Sequence, residues 1–217
     1  MTRLTHLAAL AMALAGVAGC STAYHAAMEQ LGWAKRDIFV ARLQEARDSQ
    51  DEAKTAFSDA LQGLRGVAAA PDAALESAFV TAQTTYDEVG RRADAARTRV
   101  AAVPPAAGAL FTEWRGELAE MKDARLRARL QERYQAAQRR YDRVLAAMQR
   151  ADAAMTPVLA AMQDQVLLLQ HDLNAETVSA LRGALTAITA DVGTLADELD
   201  RSIEEADQFI AQLERAE

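Results

Sequence analysis

The chain has 217 residues, a formal net charge of −7 and a single cysteine. An acidic balance supplies no basic face for a phosphate backbone, which excludes nucleic acid as the expected partner. One cysteine excludes an internal disulfide framework, and a composition dominated by Ala, Leu, Glu, Gln and Arg, with 5% aromatic residues, is that of long helices.

Met1-Thr2-Arg3 places a positive charge before Leu7 to Val17, an uncharged run of Ala, Leu, Met, Gly and Val. The run is too short for the ~20 apolar residues of a membrane-spanning helix, so it reads as an export signal. It closes on Val17-Ala18-Gly19-Cys20, which resembles the bacterial lipobox, where the cysteine is acylated and becomes the first residue of the mature chain. The resemblance implies a signal peptide over residues 1–19 and a lipid-anchored segment over 20–33. Because Ser21 rather than Asp follows the cysteine, it also implies an outer-membrane anchor with the body in the periplasm. Removal of residues 1–19 takes away one arginine and no acid, moving the formal charge from −7 to −8. Several buried acyl chains, at about 0.8 kcal/mol per methylene, would make the tether permanent.

The anchored segment contains Tyr24 to Leu31, expected as a short helix ended by Gly32. Trp33, Lys35 and Arg36 follow, an aromatic beside two cations, and are candidates for contact with a membrane surface. A first long helix is predicted over about residues 34–66, where Phe39, Leu43, Ala46, Gln50, Ala53, Phe57, Ala60 and Leu64 alternate steps of four and three. Gly63 and Gly66 loosen its end, and Pro71-Asp72 opens a second helix over 72–103 with Asp72 as its cap. Its seam is Leu75, Phe79, Ala82, Tyr86, Val89, Ala93, Ala96, Val100 and Val103.

Pro104-Pro105 is expected to stop that helix and start a third over 105–173. The third helix carries an arginine-rich break near residue 123 and a kink near Pro157, beyond which the stripe shifts by one position to Leu159. A turn at Leu173-Asn174-Ala175 leads to a last helix over about 176–215, lined by Val178, Leu181, Leu185, Ile188, Val192, Leu195, Leu199, Ala206, Phe209 and Leu213. The fold class is therefore all-α: an elongated antiparallel helical bundle with coiled-coil-like packing, forming one domain over residues 34–217.

Few residues carry candidate chemistry. His25 and His171 are the only histidines after Cys20, and neither belongs to a Glu-x-x-His or His-Glu-x-x-His set, so no metal site or cofactor is expected. Phosphate loops, nucleophile elbows and Ser/His/Asp sets are equally absent, and no catalytic residue is assigned. Gln165, with Gln50, is a candidate for a seam position where a polar group fixes register, and Gln165, His171 and Asn174 together form a candidate register or recognition patch.

Several blocks spread along the chain resemble the DUF2959 family of uncharacterised bacterial lipoproteins. They are Met28-Glu29-x-Leu31-Gly32 with Lys35-Arg36-Asp37-Ile38, Gln44 to Asp48, Phe111-x-Glu113-Trp114, and Arg140-Tyr141-Asp142 through Met155-x-Pro157-Val158-Leu159. Asp164-Gln165-Val166-Leu167 and His171-x-Leu173-Asn174-Ala175 complete them, with Asp172 standing where Asn is expected in many relatives. The resemblance implies no activity and no catalytic residues. The expected role is that of a lipid-anchored envelope scaffold or adaptor, bound to the membrane through its acylated cysteine and to an envelope protein partner. Exposed heptads leave a homodimer open. The alternative is a chaperone-like or carrier module using the Met- and Leu-rich stretch Met148 to Leu173.

Overall fold

The structure, a computed structural model, describes residues 16–215, with side chains from Ala34 onward. Four helices follow in chain order: α1 (Gly16–Ala69), α2 (Leu75–Glu120), α3 (Ala124–His171) and α4 (Ala175–Arg215), with a 3-10 turn Asp72–Ala74 leading into α2. No strand forms among the described residues. At 1.5 Å per residue these helices are about 60–80 Å long. The helices pack in a ring, α1 on α2, α2 on α3, α3 on α4 and α4 on α1. The short links between them make the arrangement an up-down-up-down bundle.

The heptad seams form the core. In α1, all eight residues from Phe39 to Leu64 at the alternating spacing are buried, Gln50 included. In α4 the apolar stripe has a gap between Leu199 and Ala206, and Ser202 fills it, fully buried. Met148, Met155 and Met162 of α3 are likewise fully buried, so the methionine stripe is core rather than an open binding surface.

The core has two halves. One is built from Ala53 to Ala68, Ala82 to Ala96, Ala151 to Leu169 and Val178 to Leu199. The other joins Phe39, Leu43 and Ala46 to Val100 through Leu118, Tyr134 through Met148, and Ala206 through Ile210. Between them lies a polar layer. Gln50 Nε2 donates to the Met148 carbonyl (3.1 Å) and to Asp152 Oδ1 (3.2 Å), while Ser202 Oγ donates to Gln50 Oε1 at 2.6 Å. One α1 side chain thus joins α3 and α4, and every polar atom of the buried amide has a partner apart from lone-pair capacity.

The structure corrects several expected boundaries. Pro104 and Pro105 do not end a helix; both lie inside α2, which runs on to Glu120. The reason is the seam: Val100, Val103, Ala107, Phe111 and Leu118 are all buried on one face, so a single helix must carry them. Burial of these side chains, at about 1.5–3 kcal/mol for each large one, outweighs the hydrogen bonds that two prolines remove. The third helix accordingly begins at Ala124, after a turn at Met121–Asp123, and not at residue 105.

Pro157 also lies within a continuous helix, and the stripe does not change phase there: Met155, Val158, Met162, Val166 and Leu169 are buried in steps of three and four. Val158, not Leu159, is the core residue. Toward the N-terminus, α1 passes through Gly32 without a break. Asp72 begins the 3-10 turn instead of capping a long helix, and Ala74 at the α2 N-cap makes no side-chain cap bond.

Candidate functional site: an arginine-lined pocket at one end of the bundle

An opening with a volume of about 1000 Å³ lies at the end of the bundle where α1 passes Ala34, α2 ends and α3 begins. Its floor is an extension of the aromatic half of the core. Phe39 packs edge-on against Tyr141 and Phe209 with centroids 5.9 and 6.0 Å apart, and Tyr134 does so against Phe111 and Trp114 at 5.7 and 5.6 Å. Such T-shaped pairs each add about 0.5–1.5 kcal/mol beyond area burial, so the floor is held by more than shape. Leu110, Trp114, Leu130, Phe209 and Leu213 present its apolar surface to the pocket.

The rim is cationic. Arg36 of α1, Arg133, Arg139, Arg140 and Arg143 of α3, and Arg215 of α4 line it, against only Glu113 and Glu117 on α2. The α3 arginines arise from helical spacing, since 133, 140 and 143 fall on the face that also carries Ala136 and Ala137. The Glu113 side chain is 6% exposed, and its Oε2 lies 3.1 Å from Lys35 Nζ as an ion pair without hydrogen-bond geometry. Burial, reinforced by the charges of Glu113 and Glu120 and opposed by Lys35, raises the Glu117 pKa from its ordinary 4.5.

Arg140 Nη2 donates to Gln208 Oε1 at 2.9 Å, but its Nε, which is buried, has no hydrogen-bond partner. A buried guanidinium N–H costs about 1–3 kcal/mol when left unmade. Arg133, Arg139, Arg143 and Arg215 have no ion pair with any described residue.

The structure scatters the residues singled out from sequence. Cys20 and Trp33 lie on α1, but their side chains fall outside the described ones. Lys35 is tied to Glu113, and Arg36 lies beside Asp37, at 3.8 Å, and lines the pocket. Gln165 is only half-buried, whereas Gln50 occupies the seam. His171 is exposed in the last turn of α3. Asn174 caps α4: its Oδ1 accepts from the Glu176 and Thr177 amides at 2.8 and 3.0 Å. Thr177 Oγ1 donates to the Asp172 carbonyl at 2.6 Å, closing the turn. Gln165, His171 and Asn174 therefore do not form a register layer; the layer is Gln50, Asp152 and Ser202.

Glu113, Arg133, Arg140 and Arg143 were missed by sequence reasoning. The available signal was the spacing of the arginines after residue 130, which puts several on one helix face. Among the described residues, no group of three or more His, Cys, Asp or Glu side chains is placed to hold a metal ion. No described helix is long and apolar enough to cross a membrane.

The architecture is that of an antiparallel four-helix bundle with an end pocket. A family model described as a protein of unknown function, DUF2959, matches residues 24–213, and the chain belongs to that family. No curated protein matches it. Three separated stretches meet at the pocket end: Lys35-Arg36, Glu113-Trp114 and Arg140-Tyr141.

Proposed function

We propose that the protein is an envelope lipoprotein, held at the bacterial outer membrane through an acylated Cys20, whose periplasmic helical bundle acts as a scaffold or adaptor rather than an enzyme. The observation that carries this reading is the apolar N-terminal run closing on the chain's only cysteine. The continuity of α1 from Gly16 to Ala69 supports it, because the anchor and the first wall of the bundle then share one helix. From Cys20 to Ala34 that helix makes an arm of about 20 Å, enough to hold the bundle clear of the headgroups.

The test is fractionation of cells making the native chain or C20S, with radiolabelled palmitate. The native protein is expected in the membrane fraction with label, and C20S without label and released from the membrane. Retention of C20S in the membrane fraction with undiminished label overturns the anchor. Crosslinking in intact cells then distinguishes roles: one dominant envelope partner supports the scaffold, and many unfolded clients replace it with a holder. A second reading, a carrier for a small ligand, is favoured by one observation, the arginine-lined pocket.

A further inference from the structure

We propose that the end pocket binds an amphipathic anion, an acyl chain bearing a carboxylate or phosphate head, with the chain on the aromatic floor and the head on the α3 arginines. The inference deepens the carrier reading and rests on it; it does not depend on whether Cys20 is acylated.

Two independent features of the pocket call for the two halves of such a ligand. The first is charge. In a chain of formal charge −7, four arginines of α3, Arg133, Arg139, Arg140 and Arg143, gather at one opening. Their planar guanidinium forks match carboxylate and phosphate oxygens. Arg133 and Arg143 have no ion pair with a described residue, although acids are abundant elsewhere on the surface. Arg140 adds a buried Nε that lacks an acceptor. Glu113, on the same lining, is ion-paired with Lys35 at 3.1 Å.

The second feature is the floor. An open site for a small hydrophilic anion needs no apolar surface, yet Leu110, Trp114, Leu130, Phe209 and Leu213 face this one. Water over these side chains costs about 25 cal/mol per Å², which an acyl chain recovers. A volume of about 1000 Å³ is at the upper end of ordinary ligand pockets and accommodates a folded or bent chain. Neither a plain anion nor a plain hydrocarbon satisfies both features.

The experiment uses the full-length chain in phosphatidylcholine nanodiscs, with empty nanodiscs as the blank. W33F leaves Trp114, at the pocket floor, as the sole donor for energy transfer to dansyl-undecanoic acid. Saturable transfer at one probe per chain is expected, weakened about tenfold or more in R133Q/R143Q and for the uncharged methyl ester, a tenfold change corresponding to about 1.4 kcal/mol. Both arginines are exposed, so the double variant is expected to keep the native melting temperature. L213Q, on the floor, is expected to weaken acid and ester alike.

Displacement of the probe by oleate but not phosphatidic acid assigns the head as carboxylate, and the reverse assigns it as phosphate; either supports the proposal. Equal binding of acid and ester, binding unaltered in R133Q/R143Q, or displacement by inorganic phosphate as effective as by either lipid overturns it. Failure here leaves the fractionation result for Cys20 untouched, so the two readings fail separately.

Discussion

Gly63 shows how a single hydrogen atom sets the spacing of two helices. A Cβ at this position would lie 2.6 Å from Thr85 Oγ1 and 2.9 Å from the Ala82 Cα, and the second contact is backbone that cannot swing aside. The sequence suggested a loosened helix end, but the residue is instead a point of close approach between α1 and α2. G63A is expected to destabilise the bundle by about 1–3 kcal/mol in urea denaturation despite its better helix propensity. G183A, where nothing lies within 4 Å, is the counterpart and is expected to stabilise by about 0.5–1 kcal/mol. Asp152 is a second residue with a readable cost. Burial raises its pKa from the ordinary 3.8, outweighing the opposing effects of the Gln50 hydrogen bond and the Arg97 charge. A carboxyl whose folded pKa is raised binds its proton more tightly in the fold. Its contribution therefore favours folding fully below pH 3.8 and is lost as the pH rises through the raised value. D152N keeps an acceptor for Gln50 and removes the buried charge. Its urea midpoint is expected to exceed that of the native protein at pH 7, with the difference closing toward pH 3. An equal difference at both pH values would show that ionisation is not the cause.

At the scale of elements, the helices are determined by their seams and finished by their caps. Asp123 Oδ1 accepts from the Arg125 and Leu126 amides at 2.8 and 3.0 Å and so starts α3. Asn174 does the same for α4. The C-terminus of α1 is closed from a distance, Arg182 of α4 donating from Nε to the Ala68 carbonyl at 2.8 Å. N174A removes both cap bonds while leaving the Thr177 hydroxyl bond in place, and is expected to cost about 1 kcal/mol by thermal or urea denaturation. A loss well under 0.5 kcal/mol would mean that Thr177 alone closes the turn. The apolar spacing of α1 was legible almost residue by residue. The boundary at Pro104-Pro105 was not, because proline rules describe a helix in isolation, whereas Val100, Val103, Ala107 and Phe111 are buried together only within a packed bundle.

Across the whole molecule, the ion pairs are mostly exposed and local. Arg91 and Arg92 with Glu88, Arg97 with Asp94 and Arg201 with Glu198 are spaced three or four residues apart on single helices. Such pairs contribute about 0–1 kcal/mol and are screened by salt. Raising sodium chloride from about 0.05 to 0.5 M is therefore expected to change unfolding stability by less than about 1 kcal/mol, as followed by circular dichroism in urea. The core and its polar layer carry the fold, with Gln50 aligning three helices through bonds that only one register satisfies. The sequence by itself determined the all-α class, the four seams and the antiparallel order, since heptad spacing and short links are local properties of the chain. Tertiary structure alone decided the continuation of α2 through Pro104-Pro105 and the partners of Gln50. It also decided the gathering of Lys35, Glu113, Trp114, Arg140 and Arg143 at one end. The physical reason is that burial and charge neutralisation are sums over neighbours, and those neighbours come from all four helices.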